Sequence, residues 1–172
     1  KNDQGETALL LAVKHSYTAA AKTLVAAGAV VTEHDNQGNT PLLLAADTGS
    51  VDIVRVLVSA KADAFATNAA GETPLKRALA KANVEVLSVL SQVKDTHGNT
   101  ALSLAARAGD VDTVKQILAA NASVEAVNDD GKTALQLAVD NDHKAIVKLL
   151  SSIADSDNNS AVAMAARDGN ME

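Results

Sequence analysis

Cysteine is absent from the 172 residues. Disulfide scaffolds, thiolate zinc sites and cysteine nucleophiles are thereby excluded, while the redox compartment stays open. Aromatics make up only 1% of the chain: Tyr17, Phe65 and no tryptophan. Proline occurs only at Pro41 and Pro74. No apolar run approaches the ~18 residues needed to span a bilayer, so membrane insertion is not expected. Lys and Arg number 15 against 21 Asp and Glu, a formal charge of −6. That argues against a nucleic-acid binder, whose affinity for phosphate rests on clustered cations. The polar start Lys1-Asn2-Asp3-Gln4 does not read as a signal peptide.

What is present is a globular balance, with 47% hydrophobic and 21% charged residues. Alanine alone contributes 35 residues. A core of Ala, Leu and Val has little bulk per residue, so thin helices stacked closely fit it better than a two-layer sheet domain. A Gly-x-Thr signal recurs at Gly5, Gly38, Gly71, Gly98 and Gly131, with a degenerate copy at Asn158-Asn159-Ser160. Its steps are 33, 33, 27, 33 and 27 residues. Each copy precedes two short apolar segments at helical spacing, such as Pro41–Ala46 and Val51–Val58. Gly38 and its equivalents suit the positive φ of a tight turn. Thr40 and Thr73 can cap the first helix with proline at N1; Gly49 and Gly109 can end it; Ser50 and Asp110 can cap the second. Asn68 and Asn128 mark where the chain turns back.

This pattern resembles the ankyrin repeat, a β-turn plus two antiparallel helices over about 33 residues with a Thr-Pro-Leu-His-x-Ala signature. The signature reads Thr40-Pro41-Leu42-Leu43-Leu44-Ala45 and Thr73-Pro74-Leu75-Lys76-Arg77-Ala78, continuing from Thr100 to Ala105 and from Thr133 to Ala138. The resemblance spans essentially the whole chain and implies an all-α solenoid. Its repeats are 2–34, 35–67, 68–94, 95–127 and 128–154, with a partial sixth over 155–172. No copy keeps the family's His, whose place is taken by Leu10, Leu43, Lys76, Ser103, Gln136 and Ala163. The ties that this His makes between neighbouring turns are therefore expected to be lost. Repeats three and five are six residues short, at Leu90–Asp95 and Leu150–Asp155, which predicts fingers cut back there and altered curvature. The same two repeats replace the mid-repeat Gly by Ala82 and Asp142. Residues 35–94 align without a gap to 95–154, with 22 identities in 60, which suggests duplication of a two-repeat block. The chain stops where the second helix of a sixth repeat should begin and has no dedicated cap, so a longer protein is expected.

Motifs for chemistry are weak. Gly131-Lys132-Thr133 looks like the tail of a phosphate-binding loop, but the required earlier glycine is Ala126. His15, His34, His97 and His143 show no metal-ligand spacing. The Asp129-Asp130 and Asp140–Asp142 carboxylates fall in turns and helix ends, and read as contact surface rather than as a catalytic pair. Asn121-Ala122-Ser123 and Asn158-Asn159-Ser160 fit the glycosylation sequon. The expectation is thus no enzyme, no cofactor and no metal.

The resemblance implies protein–protein recognition through the concave face of turns and first helices. It places Lys14 and His15 of repeat one there, with Asn36, Gln37, Asn39, Asp47 and Thr48 of repeat two. Glu72, Arg77 and Lys81 follow from repeat three, then His97, Asn99 and Arg107 from repeat four. Asp129, Asp130, Lys132 and Asp140 complete the set in repeat five. Basic residues in the middle repeats between acidic ones would orient a charged partner. Tyr17 is either a further contact or packing between helices. A protein partner, no nucleic acid and a monomeric state are expected. The alternatives are an inhibitor or immunity-type regulator that occludes an enzyme, and a targeting segment of a larger enzyme, effector or channel. The expected place is the cytoplasm, or an exported or periplasmic one if a signal peptide has been removed.

Overall fold

The structure, a computed structural model, describes residues 1–156, with side chains through Ile153. The expected sixth repeat thus lies almost wholly outside the described residues. Ten helices run in order within them: α1 Ala8–Lys14, α2 Thr18–Ala26, α3 Pro41–Thr48, α4 Val51–Ser59, α5 Pro74–Ala80, α6 Val84–Leu90, α7 Ala101–Ala108, α8 Val111–Ala119, α9 Ala134–Asp140 and α10 Lys144–Ser156. They pair as five hairpins; the second helices stack in succession, and so do the first helices at every step except α5 to α7.

The same local chemistry opens every hairpin. Thr7, Thr40, Thr73, Thr100 and Thr133 are extended N-caps whose Oγ1 accepts the amide three residues on. Pro41 and Pro74 start α3 and α5, where no intrahelical bond is sacrificed. Gly49 and Gly109 close α3 and α7 in the left-handed region at φ 70° and 78°. Asp110 caps α8 through Thr113 N, as expected. Ser50 precedes α4 without capping it by its side chain; its hydroxyl bonds those of Ser16 and Thr48 instead. Where the mid-repeat glycine is missing, the conformation is kept without it: Ala82 and Asp142 hold φ of 49° and 57°.

Buried alanines let the helices approach closely. Ala45, Ala46, Ala78, Ala106 and Ala138 are fully buried beside Leu42, Ile53, Leu57, Leu102 and Ile117. Each of those larger side chains contributes about 1.5–3 kcal/mol through burial.

The stack is interrupted once. Buried residues form two apolar clusters, one from repeats one to three and one from repeats four and five. Leu75 touches both, and Ala120 at the end of α8 joins the first. First helices pack α1 on α3 on α5, and α7 on α9, with no comparable packing of α5 on α7; among the second helices, α6 still touches α8. The shortened third repeat explains this. After α6 the chain turns at once, and Lys94 bridges Thr100 in an isolated antiparallel pair, the only bridge among the described residues. Repeat four then begins as repeat one does: Lys1 Nζ bonds His34 O at 3.2 Å, and Lys94 Nζ bonds Val127 O at 2.8 Å. Repeat five behaves differently. The Leu150–Asp155 stretch, which carries the other deletion, lies within the 13-residue α10, whose sequence contains neither glycine nor proline.

Candidate functional site

Five turns form one edge of the stack, and each is organised by its first residue. Asn2, Asp35, Asn68, Asp95 and Asn128 accept, through Oδ1, the amides two and four residues on. This is the local bonding that Asx residues offer a turn. The partner at the fourth position changes with the first. In two of the three turns that begin with Asn a carboxylate follows, Asn2 Nδ2 donating to Glu6 at 2.8 Å and Asn68 Nδ2 to Glu72 at 3.0 Å, while Asn128 is followed by Lys132. Where it begins with Asp, an amide follows: Asn39 Nδ2 donates to Asp35 at 2.9 Å, and Asn99 Nδ2 to Asp95 at 3.1 Å.

These groups also tie neighbouring turns together, replacing the missing family His. Asn68 Nδ2 donates to Asn39 Oδ1 at 2.9 Å, and Asn128 Nδ2 to Asn99 Oδ1 at 3.0 Å. Backbone bonds run alongside: Asn36 N to Gln4 O, Ala69 N to Gln37 O and Asp129 N to His97 O. The bonds of the family His are absent, and these groups tie the turns in its place at every step except one. Among the described residues no such bond joins turn three to turn four. A Cβ on Gly38 would meet the next turn's backbone at 3.1 Å, whereas one on Gly71 would meet nothing within 4 Å.

The residues expected at a partner face separate on this geometry. Asn39 and Asn99 are 6% and 4% exposed and hold the turns together, so the structure places them in the framework and not at the surface. Lys14, although exposed, donates to Glu6 Oε1 at 2.6 Å. Glu6 is itself buried, and the hydrogen bonds from Lys14 and Asn2 hold its carboxyl below the usual range. Arg77 is half-buried between two carboxylates: Nη2 lies 2.6 Å from Glu72 Oε2, and Nη1 lies 3.0 Å from Asp47 Oδ1, which Lys81 approaches at 3.6 Å. Hydrogen bonds from Asn68 and Arg77 lower Glu72. Burial opposes the charge on Arg77, but Glu72 and Asp47 outweigh it and raise its pKa. The expected basic centre of the groove is therefore largely neutralised within repeats two and three. Lys132 pairs with Asp140 at 2.6 Å, and that contact raises the lysine's pKa.

The remaining groups stand open. Asn36, Gln37, Thr48, His97, Arg107, Asp129 and Asp130 are exposed. The Asn36 amide donates to Asp3 O at 3.0 Å, and the His97 ring lies 3.3 Å from Thr96 Oγ1. The Arg107 guanidinium has no hydrogen-bond or ion-pair partner among the described residues; only its carbonyl is engaged, with His143 Nε2 at 3.0 Å. At the other end, His15 stacks on Tyr17 with ring centroids 5.6 Å apart and planes at 27°. Tyr17 is 62% exposed, so it lies at the surface and does not pack between helices.

The turn-opening Asx residues are the functional framework that sequence reasoning missed, apart from Asn68 and Asn128. The signal was present: Asn-x3-Glu alternates with Asp-x3-Asn along the first four turns.

The family model described as ankyrin repeats (3 copies) matches residues 1–68, 60–128 and 104–172, spanning the whole chain. The chain belongs to the ankyrin repeat family. Ankyrin repeats are generally protein–protein interaction modules and typically non-catalytic. Among the described residues no helix is long and apolar enough to cross a membrane.

Proposed function

We propose that this chain recognises a folded or extended protein segment through the exposed turn and first-helix residues, without catalysis, as a monomer and without nucleic acid. The unpaired Arg107 guanidinium carries the reading. Every other lysine and arginine expected at this face already has an intramolecular ion-pair partner, and Arg107 has none among the described residues. Arginine's planar fork is pre-organised for a carboxylate, so less freedom is lost per hydrogen bond formed, and arginine is enriched among binding hot spots. Exposed His97 shares repeat four with it, and Asp129 and Asp130 follow in the next turn. The stacked His15 and Tyr17 supply an amphipathic anchor at the opposite end.

The Arg107→Glu variant tests this reading more cleanly than any change at Arg77, because reversing Arg77 would face three carboxylates toward one another. The immobilised parent should retain a protein from extract of its own source cells, and Arg107→Glu should lose it while keeping the parent's circular dichroism. Equal retention by both would sink the assignment.

A further inference from the structure

The interruption between repeats three and four leaves a cavity of about 1100 Å³. None of the residues named above for the partner face lines it, although Thr96, the chain neighbour of His97, does. Its walls are the ends of α4 and α6, the finger of repeat two from Lys61 to Phe65, and the short link from Gln92 to Thr96. In full-length repeats a finger follows the second helix; here repeat three is six residues short, and the space beside the repeat-two finger is empty of chain. The floor is apolar. Val58, Phe65 and Val93 are half-buried against the first core cluster, and Val89 is 9% exposed.

The rim carries three cations and two carboxylates. Arg55 and Lys61 are exposed, and neither has an ion-pair or side-chain hydrogen-bond partner among the described residues. Lys94 adds a third cation, held on Val127 O. The two carboxylates present are turned to their own backbone: Asp63 accepts from Phe65 N at 2.8 Å, and Asp95 accepts from the amides of His97 and Asn99. The rim of a net-acidic chain thus holds a small excess of cations over an apolar floor, and Arg55 and Lys61 are the two that no side chain or carbonyl engages among the described residues.

We infer that this cavity is a second docking site, which takes an extended, acidic segment of a partner protein in place of the missing finger, with its apolar side chains on Phe65 and Val93 and its carboxylates at Arg55 and Lys61. The site does not depend on the face that carries Arg107.

Fluorescence anisotropy tests it on the 172-residue chain with a labelled peptide of alternating glutamate and leucine, and with its lysine–leucine counterpart. The acidic peptide should bind saturably, and the lysine peptide about tenfold or more weaker. Arg55→Glu with Lys61→Glu should weaken the acidic peptide about tenfold, with unchanged circular dichroism. Inserting a copy of residues 60–65 after Gln92 should fill the cavity and abolish binding. Arg107→Glu should leave it within about twofold, which separates this site from the proposed partner face. Equal binding of the two peptides would overturn the inference, as would acidic-peptide binding that survives both the charge reversal and the insertion.

Discussion

The mid-repeat left-handed position shows how much a single residue can be asked to tolerate. Gly49 and Gly109 occupy it freely, whereas Ala82 adopts φ 49° with a Cβ that the region disfavours by about 1–2 kcal/mol. Ala82→Gly should therefore raise stability by about 1 kcal/mol, read as an upward shift of the thermal midpoint; a fall would contradict the strain. Composition revealed that the glycine was missing but not whether the chain would abandon the conformation. It keeps it because the amides of Ala82 and Asn83 still bond Leu79 O and Ala78 O at the end of α5.

The turn-opening residues lead to a pH prediction. Burial pushes Asp35 and Asp95 up, but bonds from the Asn39 and Asn99 side chains and from the turn amides outweigh it and hold both carboxyls below their ordinary range. A lowered folded-state pKa means that the unfolded chain takes up the proton first as pH falls. The stabilisation is therefore full above the ordinary aspartate value of about 4 and is lost progressively below it. Acid titration of stability should show this slope. Asp35→Asn sets two amide donors against each other and should cost about 1–2 kcal/mol. Adding Asn39→Glu recreates the pairing of Asn68 with Glu72 and should recover most of it. A double variant no better than the single would contradict the pairing rule.

At the scale of the element, the helix starts were the most legible part of the sequence. Threonine caps, N1 prolines and closing glycines act within one turn of chain, so their geometry follows from residue type and spacing alone. Thr100→Ala, removing a cap that is itself buried, should cost about 1 kcal/mol in denaturant unfolding; an unchanged midpoint would count against its structural role. Ser50 was misread because two hydroxyls, Ser16 and Thr48, compete for it. One of them comes from the preceding repeat, which local spacing does not reveal. The same limit applied to the partner face. Asn39 and Asn99 occupy the register of a surface contact, yet the next turn covers them.

At the scale of the whole molecule, a solenoid's stability is the sum of its repeats and the interfaces between neighbours. The interface between repeats three and four lacks the turn-to-turn bonds and the packing between first helices found at the other steps. Hydrogen exchange should accordingly show residues 1–93 and 95–153 opening as separate units with different protection. One uniform opening free energy across both would contradict the interruption. The sequence signalled the break through its 27-residue spacing, but not that Leu75 and the end of α8 would still hold the two stacks together.

The central claim is that recognition falls on the turns and first-helix ends. Hydrogen exchange of the chain bound to its captured protein tests it most directly. Slowed exchange confined to residues 14–17, 36–48, 97–107 and 129–140, and reduced by Arg107→Glu, is the predicted result. Slowed exchange confined to the second helices α2, α4 and α8, with those stretches unchanged, would contradict it.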